Sequence, residues 1–314
     1  MSHPDFSASE RPKNRTHSRQ TSLKIAVIIA SIGRPGNVAT LLRILSQQSV
    51  LPSQVILSIE KDVDAPPQEQ LPGLNVKYVL GPRGMTAQRN RGLERLSADT
   101  DIVIFYDDDF VPSTFALEGI GRFFLDHQEV AGATGVLLAD GILGAGISPQ
   151  AALEKVAKAD RMQAEIRTDI LAYRKALYGC NMAYRLSMIQ GLRFDEALPL
   201  YGWLEDIDFG GQIQHPMAYT NAFTGVHCGE KRGRETSGKR LGYSQVCNPV
   251  YLWRKGTADK ATMRKQILRN ILANHVKLFF PEPWVDRKGR AIGNWIATFD
   301  LLCGKAHPGR ILDL

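Results

Sequence analysis

The stretch Ile102-Val103-Ile104-Phe105-Tyr106-Asp107-Asp108-Asp109-Phe110 decides the fold, because an unbroken apolar run empties into three consecutive carboxylates. A short run rich in β-branched and aromatic residues reads as a strand covered on both faces. Acids at its carboxyl end repel one another unless a cation or a hydrogen-bonding ligand lies between them. A divalent metal relieves that repulsion, and hard oxygen ligands suit Mg²⁺ or Mn²⁺. A solvated acidic turn closing the strand is the alternative. The flanking stretches decide between the two.

Upstream, Leu23 to Ala30 reads as a buried strand ending at Ser31-Ile32-Gly33-Arg34-Pro35. Val38, Leu41, Leu42 and Leu45 recur at helical spacing, and Leu51-Pro52 stops that helix before the strand Gln54 to Ile59, which runs into Glu60-Lys61-Asp62. Val76 to Leu80 is the next strand, and Met85 to Leu96 the next helix. This alternation predicts an α/β fold with a central, mostly parallel, twisted sheet flanked by helices. Ligands of such sheets sit beyond the carboxyl ends of the strands. Those ends carry Ser31 with Arg34, Glu60 with Asp62, and the acidic triplet. No G-x-G-x-x-G follows the first strand and no P-loop occurs, which removes the dinucleotide and P-loop readings.

The bulk properties agree with a globular enzyme-sized chain. At 314 residues, with 44% hydrophobic and 23% charged residues, a full core can form and disordered or disulfide-rich classes are excluded. Four scattered cysteines with no C-x-x-C pair argue for reduced, mostly buried thiols. No apolar run approaches the roughly 20 residues of a membrane span. Residues 1–22 read as a disordered basic tail without a secretory apolar segment, so a cytoplasmic location is expected. Net charge is +7, and the segment from His227 to Arg290 holds fifteen Lys and Arg against five Asp and Glu. Such a concentration attracts phosphates, anionic lipid or nucleic acid, or serves as a solubilising face. No nucleic-acid-binding motif accompanies it.

Three features together resemble the family 2 inverting glycosyltransferases, whose fold is called GT-A: the Ser31-to-Pro35 loop, the segment Arg83-Gly84-Met85-Thr86-Ala87-Gln88-Arg89-Asn90-Arg91-Gly92, and Tyr106 to Asp109. The likeness covers roughly residues 23–230. It implies that the triplet is the D-x-D motif, with Asp107 near the nucleoside ribose, Asp109 on the metal of the sugar-nucleotide diphosphate, and Asp108 in the same nucleotide site. Ser31 and Arg34 would edge the base pocket, Glu60 or Asp62 would accept from base or ribose, and Arg89 would line the nucleotide site. On this reading residues 23–110 form the nucleotide-sugar half and residues 111–230 the acceptor half.

In the acceptor half, Phe110 to Leu125 is expected to be a helix, Ala131 to Leu138 a strand, Pro149 to Arg167 a helix, and Tyr178 to Arg185 the strand below the acceptor. Gly179 marks either a close approach of a sugar or a bulge. Tyr201-Gly202-Trp203-Leu204-Glu205-Asp206 opens a helix. Glycosyl transfer with inversion needs a base for the acceptor hydroxyl proton. The resemblance assigns that role to Asp206 and acceptor binding to Glu205. Acids at a helix start also serve as caps and dipole partners. Tyr201 and Trp203 offer a stacking surface for a sugar, or core packing. His227 fits the place where related enzymes complete the metal shell, or is structural. The basic, glycine-rich run with Lys231, Arg232 and Arg234 is expected to be a mobile lid over the diphosphate.

Residues 231–314 form a basic loop and a helical extension. Ala258 to Phe280 puts Met263, Ile267, Ile271, Leu272, Val276 and Phe279 near one face of a basic amphipathic helix. That face either packs on the catalytic domain or docks on the inner surface of a membrane beside a lipid-linked acceptor. The sequence therefore leads to a glycosyltransferase dependent on Mn²⁺ or Mg²⁺, moving a sugar from a nucleotide-sugar, UDP in the first instance, to a glycan or lipid-linked hydroxyl in polysaccharide or glycolipid biosynthesis. A sugar nucleotidyltransferase is the alternative enzyme, without its G-x-G-T-R-like loop, and a non-catalytic nucleotide-sugar-binding module is the alternative outside enzymes.

Overall fold

The computed structural model of the chain describes residues 22–67, 74–163, 165–231 and 237–314. All but the last residue of the expected 1–22 tail lies outside them. In chain order the first half runs β1 (Ile25–Ala30), α1 (Pro35–Leu45), β2 (Gln54–Ile59), β3 (Val76–Leu80), α2 (Met85–Leu93) and β4 (Ile102–Asp107). Every residue of β1 and β2 is buried, as continuous apolar runs with both faces covered require. α1 starts at a proline and buries Val38, Leu41, Leu42 and Leu45 at the expected spacing.

The second half adds β5 (Phe110–Pro112), α3 (Ala116–Asp126), β6 (Gly132–Asp140), α4 (Pro149–Met162), β7 (Ile170–Arg174), β8 (Asn181–Arg185), α5 (Glu205–Gly211) and β9 (Met217–His227). Among the described residues the nine strands make one sheet in the order β3-β2-β1-β4-β8-β6-β9-β5, with β7 on β9. The parallel expectation holds over β3-β2-β1-β4, where α1 and α2 act as crossovers. Beyond β4 the sheet is mixed, because β8 enters antiparallel between β4 and β6.

The helix expected from Phe110 starts only at Ala116, since Phe110 to Pro112 pairs with β9 instead. The proline is tolerated as the last residue of that short strand. This pairing sets Phe110 opposite His227 and so brings the histidine beside Asp109.

The basic stretch expected as a lid also differs. From Gly238 onward it is helical: α6 (Gly238–Lys255) is followed by α7 (Lys260–Val276) and α8 (Arg287–Leu302). α6 and α8 touch backbone to backbone, for a Cβ on Gly242 would lie 2.1 Å from the Arg290 carbonyl oxygen and one on Gly293 2.1 Å from that of Lys239. The apolar positions of α7 do not share one face. Met263, Ile267 and Ile271 turn inward, whereas Leu272 and Val276, with Phe279 just beyond the helix, are exposed. None of the described helices is long and apolar enough to cross a membrane.

One polar anchor fixes α5, the element that bears the expected catalytic pair. Asp208 is fully buried and accepts from Lys255 Nζ and Thr257 Oγ1, both at 2.7 Å. Removing one partner of a buried pair leaves an uncompensated charge. Asp208→Ala is therefore expected to lower unfolding free energy by about 3 kcal/mol, read as a lower urea midpoint at unchanged slope.

Candidate active site

The three acids, Asp107 at the end of β4 and Asp108 and Asp109 in the turn that follows, take three different partners. Asp107 accepts from Arg89 Nη2 at 3.0 Å. Asp108, buried, accepts from Ser31 Oγ at 2.5 Å and Arg34 Nη1 at 2.8 Å. Asp109 accepts from the Glu230 amide at 2.8 Å. Asp107 and Asp109 face His227, whose Nε2 lies 4.0 Å from Asp107 Oδ2 and 3.6 Å from Asp109 Oδ1. Those separations exceed a hydrogen bond.

The set fits a divalent cation. One ligand atom from each of Asp107, Asp109 and His227 lies within 4.8 Å of the others. Two carboxylates and an imidazole are donors suited to Mn²⁺ or Mg²⁺. The other ring nitrogen, Nδ1, is 2.9 Å from Asp140 Oδ1, the carboxylate partner that orients a ligating imidazole. Asp140 is itself held by the Ile142 amide at 3.0 Å and the Tyr178 hydroxyl at 2.8 Å. Burial lowers the affinity of His227 for a proton, but Asp140, Asp109 and Asp107 outweigh it and raise the imidazole above its ordinary value.

Arg89 joins this cluster to the acid pair. Its guanidinium donates to Asp107, to the Gly179 carbonyl at 2.9 Å and to Glu205 Oε1 at 2.5 Å. Burial opposes its charge, and Glu205 and Asp107 together hold it protonated above the usual arginine value. Glu205 is buried at the first turn of α5, and its Oε2 has no partner among the described residues. Burial drives the Glu205 carboxyl upward against Arg89. It also raises Asp206, although the Ile207 amide donates to Asp206 Oδ1 at 2.9 Å. Gly179 leaves room beside both acids: a Cβ there would lie 3.3 Å from Glu205 Oε1 and 3.6 Å from Asp206 Oδ2.

A cavity of about 580 Å³ contains the whole constellation. Ser31, Arg34, Arg89, Asp107 to Asp109, Tyr201, Trp203, Glu205, Asp206 and His227 all line it. The loop before α5 is strained, with Leu200 at φ 59° and Leu204 at φ 71°. Its neighbours hold it. Tyr201 Oη donates to Ser244 Oγ at 3.2 Å, and Asn248 Nδ2 donates to the Trp203 carbonyl at 2.9 Å.

Neither a protein-family model nor a curated protein matches the sequence. Solved structures match its fold. The mannosyltransferase PcManGT from Pyrobaculum calidifontis, in complex with GDP-Man and Mn²⁺, is similar with a TM-score of 0.51 at 13% identity, over 96% of this chain and 89% of that one. Residues 1–349 of TarS from S. aureus, in complex with UDP-GlcNAc, are similar with a TM-score of 0.50 at 15% identity, over 82% of this chain and 73% of that one. The chain has a GT-A-type glycosyltransferase fold.

Within this GT-A framework not every expected residue reaches the cavity. Glu60 and Asp62 are not among its lining residues. The buried acid of their loop is Asp64, which accepts from the Gly33 amide at 2.7 Å and the Lys61 amide at 2.9 Å and so ties the β1 and β2 loops together. Lys231 Nζ donates to the Gly141 and Ile142 carbonyls at 3.1 Å and 2.6 Å, and Arg232 and Arg234 lie outside the described residues. Three further polar residues had no separate role assigned from the sequence. Asp140 orients His227, Gln88 Nε2 donates to the Ser31 and Ser58 carbonyls at 3.0 Å and 2.7 Å, and Asn90 Nδ2 donates to the Phe194 carbonyl at 2.9 Å. Gln88 and Asn90 flank Arg89 in the motif segment, which was the available signal.

Arg89→Met would strand Glu205 and lower stability by about 3 kcal/mol. Because the two side chains are in contact, Arg89→Met with Glu205→Gln should recover at least 1 kcal/mol, about the lower range for coupled residues. Urea titrations of both single variants and the double variant measure this coupling.

Proposed function

We propose that this protein transfers a sugar from a nucleotide-sugar, with UDP the first candidate nucleotide, to an acceptor hydroxyl with inversion at the anomeric carbon, as a family 2 enzyme. The observation that carries the reading is a single cavity holding both the Asp107, Asp109 and His227 cluster and the Glu205 and Asp206 pair. One set is suited to a cation and a diphosphate, the other to a proton.

In this reading Asp107, Asp109 and His227 hold Mn²⁺ or Mg²⁺, which when bound would neutralise charge on the departing nucleoside diphosphate. Ser31 and Arg34, fixed by Asp108, border the nucleoside. Arg89 keeps Asp107 and Glu205 at a set separation. Glu205, whose Oε1 lies beside Gly179, borders the space for an acceptor hydroxyl. Asp206 takes the proton as the acceptor oxygen bonds to the anomeric carbon and the bond from that carbon to the diphosphate oxygen breaks. Tyr201 and Trp203 shape the acceptor side.

The first test is a screen of UDP-, GDP- and dTDP-sugars for nucleoside diphosphate release with and without Mn²⁺. Release with none of them would overturn the reading. Asp206→Asn is expected to bind donor as the parent does and to lose transfer by about 10²- to 10⁴-fold, the usual contribution of a general base. Transfer also carries a pH signature. Asp206 must be ionised to accept the proton, and burial raises its pKa above the ordinary 3.8, so kcat/KM should fall on acidification with a midpoint above that value. A profile flat down to the ordinary aspartate range would remove Asp206 from the role.

Asp140→Asn tests the cation site without touching a ligand. Loss of the carboxylate behind His227 is expected to weaken Mn²⁺ binding about 10- to 100-fold, measured by calorimetry on the protein with Mn²⁺ alone. Unchanged affinity would mean that His227 does not ligate.

A further inference from the structure

The C-terminal helices carry an apolar face that none of the described residues covers. On α7, Leu268, Leu272 and Val276 recur every fourth residue at 65%, 66% and 52% exposure, and Phe279 and Phe280 continue the row at 80% and 81%. On α8, Trp295, Phe299 and Leu302 are exposed at 66%, 66% and 83%. An edge contact between His275 and Trp295, with ring centroids 5.8 Å apart, joins the two rows. Scattered exposed apolar residues are ordinary, but a contiguous aromatic and aliphatic face is a docking surface.

Charge identifies what docks. Residues 260–314 hold ten Lys and Arg against four Asp and Glu. Among the described residues, no ion pair engages Arg264, Lys265, Arg269, Lys288 or Lys305, which lie on or beside the same helices. A second copy applied face to face would bring these cations against their own equivalents, a like-charge contact that opposes association. An anionic lipid surface complements both features: it accepts the aromatic rows at the acyl boundary and the cations among its headgroups. We infer that the α7–α8 face docks the protein on the surface of an anionic membrane, without spanning it.

The arrangement also bears on the active site. The helical extension packs on the acceptor loop, with Leu200 against the Tyr243, Val246 and Ala297 cluster. Docking would hold the acceptor side of the cavity at a fixed relation to the lipid surface. The surface itself stands independently of the catalytic reading.

Sedimentation of the full chain with phosphatidylcholine vesicles, with and without one quarter phosphatidylglycerol, tests the proposal. The full chain is expected to pellet with the anionic vesicles and to be released by high salt. Phe279→Ser with Phe280→Ser should lower partition about tenfold, and Lys265→Gln with Arg269→Gln about fivefold for each charge removed. All four residues are exposed, so the thermal midpoint and donor hydrolysis should stay at parental values, which separates failure here from failure of the enzymatic reading. Equal partition of parent and variants, or a salt-insensitive dimer that Phe279→Ser with Phe280→Ser dissolves in the absence of vesicle binding, would overturn it.

Discussion

A buried arginine sets the geometry on which the rest depends. Taking a guanidinium out of water costs several kcal/mol unless opposite charge and full hydrogen bonding replace the lost solvent. Arg89 meets that condition only where the end of β4, the turn at Gly179 and the start of α5 converge. The rings of Phe105 and Phe194 also face it, at 5.7 Å and 5.4 Å. The same requirement explains why α2 buries Thr86, Gln88, Arg89 and Asn90 instead of an apolar stripe. That helix has few hydrophobic side chains to place. It is positioned by polar groups whose partners are strand-end carbonyls and carboxylates, so the two halves of the cavity cannot drift apart without breaking several buried hydrogen bonds.

Charge balance gives Asp107 a double duty. One oxygen takes Arg89, and the other faces His227 and Asp109. The cation-suited cluster is therefore mechanically coupled, through a single guanidinium, to Glu205. Asp108 is different in kind: both its oxygens are spent on Ser31 and Arg34, fastening the β1 loop to the end of β4. The three acids of one motif thus divide into two that face the cavity's cation cluster and one that closes the loop beside it.

Much of this was legible in the sequence because it is local. The strands β1, β2 and β4 are unbroken apolar runs, and the acids that end β4 need no tertiary knowledge to be noticed. What escaped depends on distant partners. Phe110 to Pro112 looks like the approach to a helix until β9 pairs with it, and that pairing recruits His227. Asp64 and Asp140 gain their meaning from Gly33 and His227, which are remote from them in sequence. The glycines after His227 misled most. Gly238 lies in the basic run expected to be a loop, yet a Cβ on it or on Gly242 would strike the α8 segment, and one on Gly289 or Gly293 would strike α6 in return. Spaced four apart on two helices, they permit close backbone approach and so build the extension.

That extension carries strain from the acceptor side. Leu200 and Leu204 adopt left-handed backbone without being glycine, a conformation that costs of order 1 to 3 kcal/mol each and persists only where surrounding contacts impose it. Those contacts come largely from α6 and the turn after it: Ser244 on Tyr201, Asn248 on Trp203, and Lys255 with Thr257 on Asp208. The Leu200 carbonyl accepts from the Met85 amide at 2.7 Å, linking the same loop to the arginine-bearing helix. Glu205 and Asp206 therefore owe their orientation to two supports, α2 from within the sheet domain and α6 from outside it. A change in the packing of α6 would reach the acid pair through this strained loop before it reached the acids of β4, which are fixed by the sheet itself.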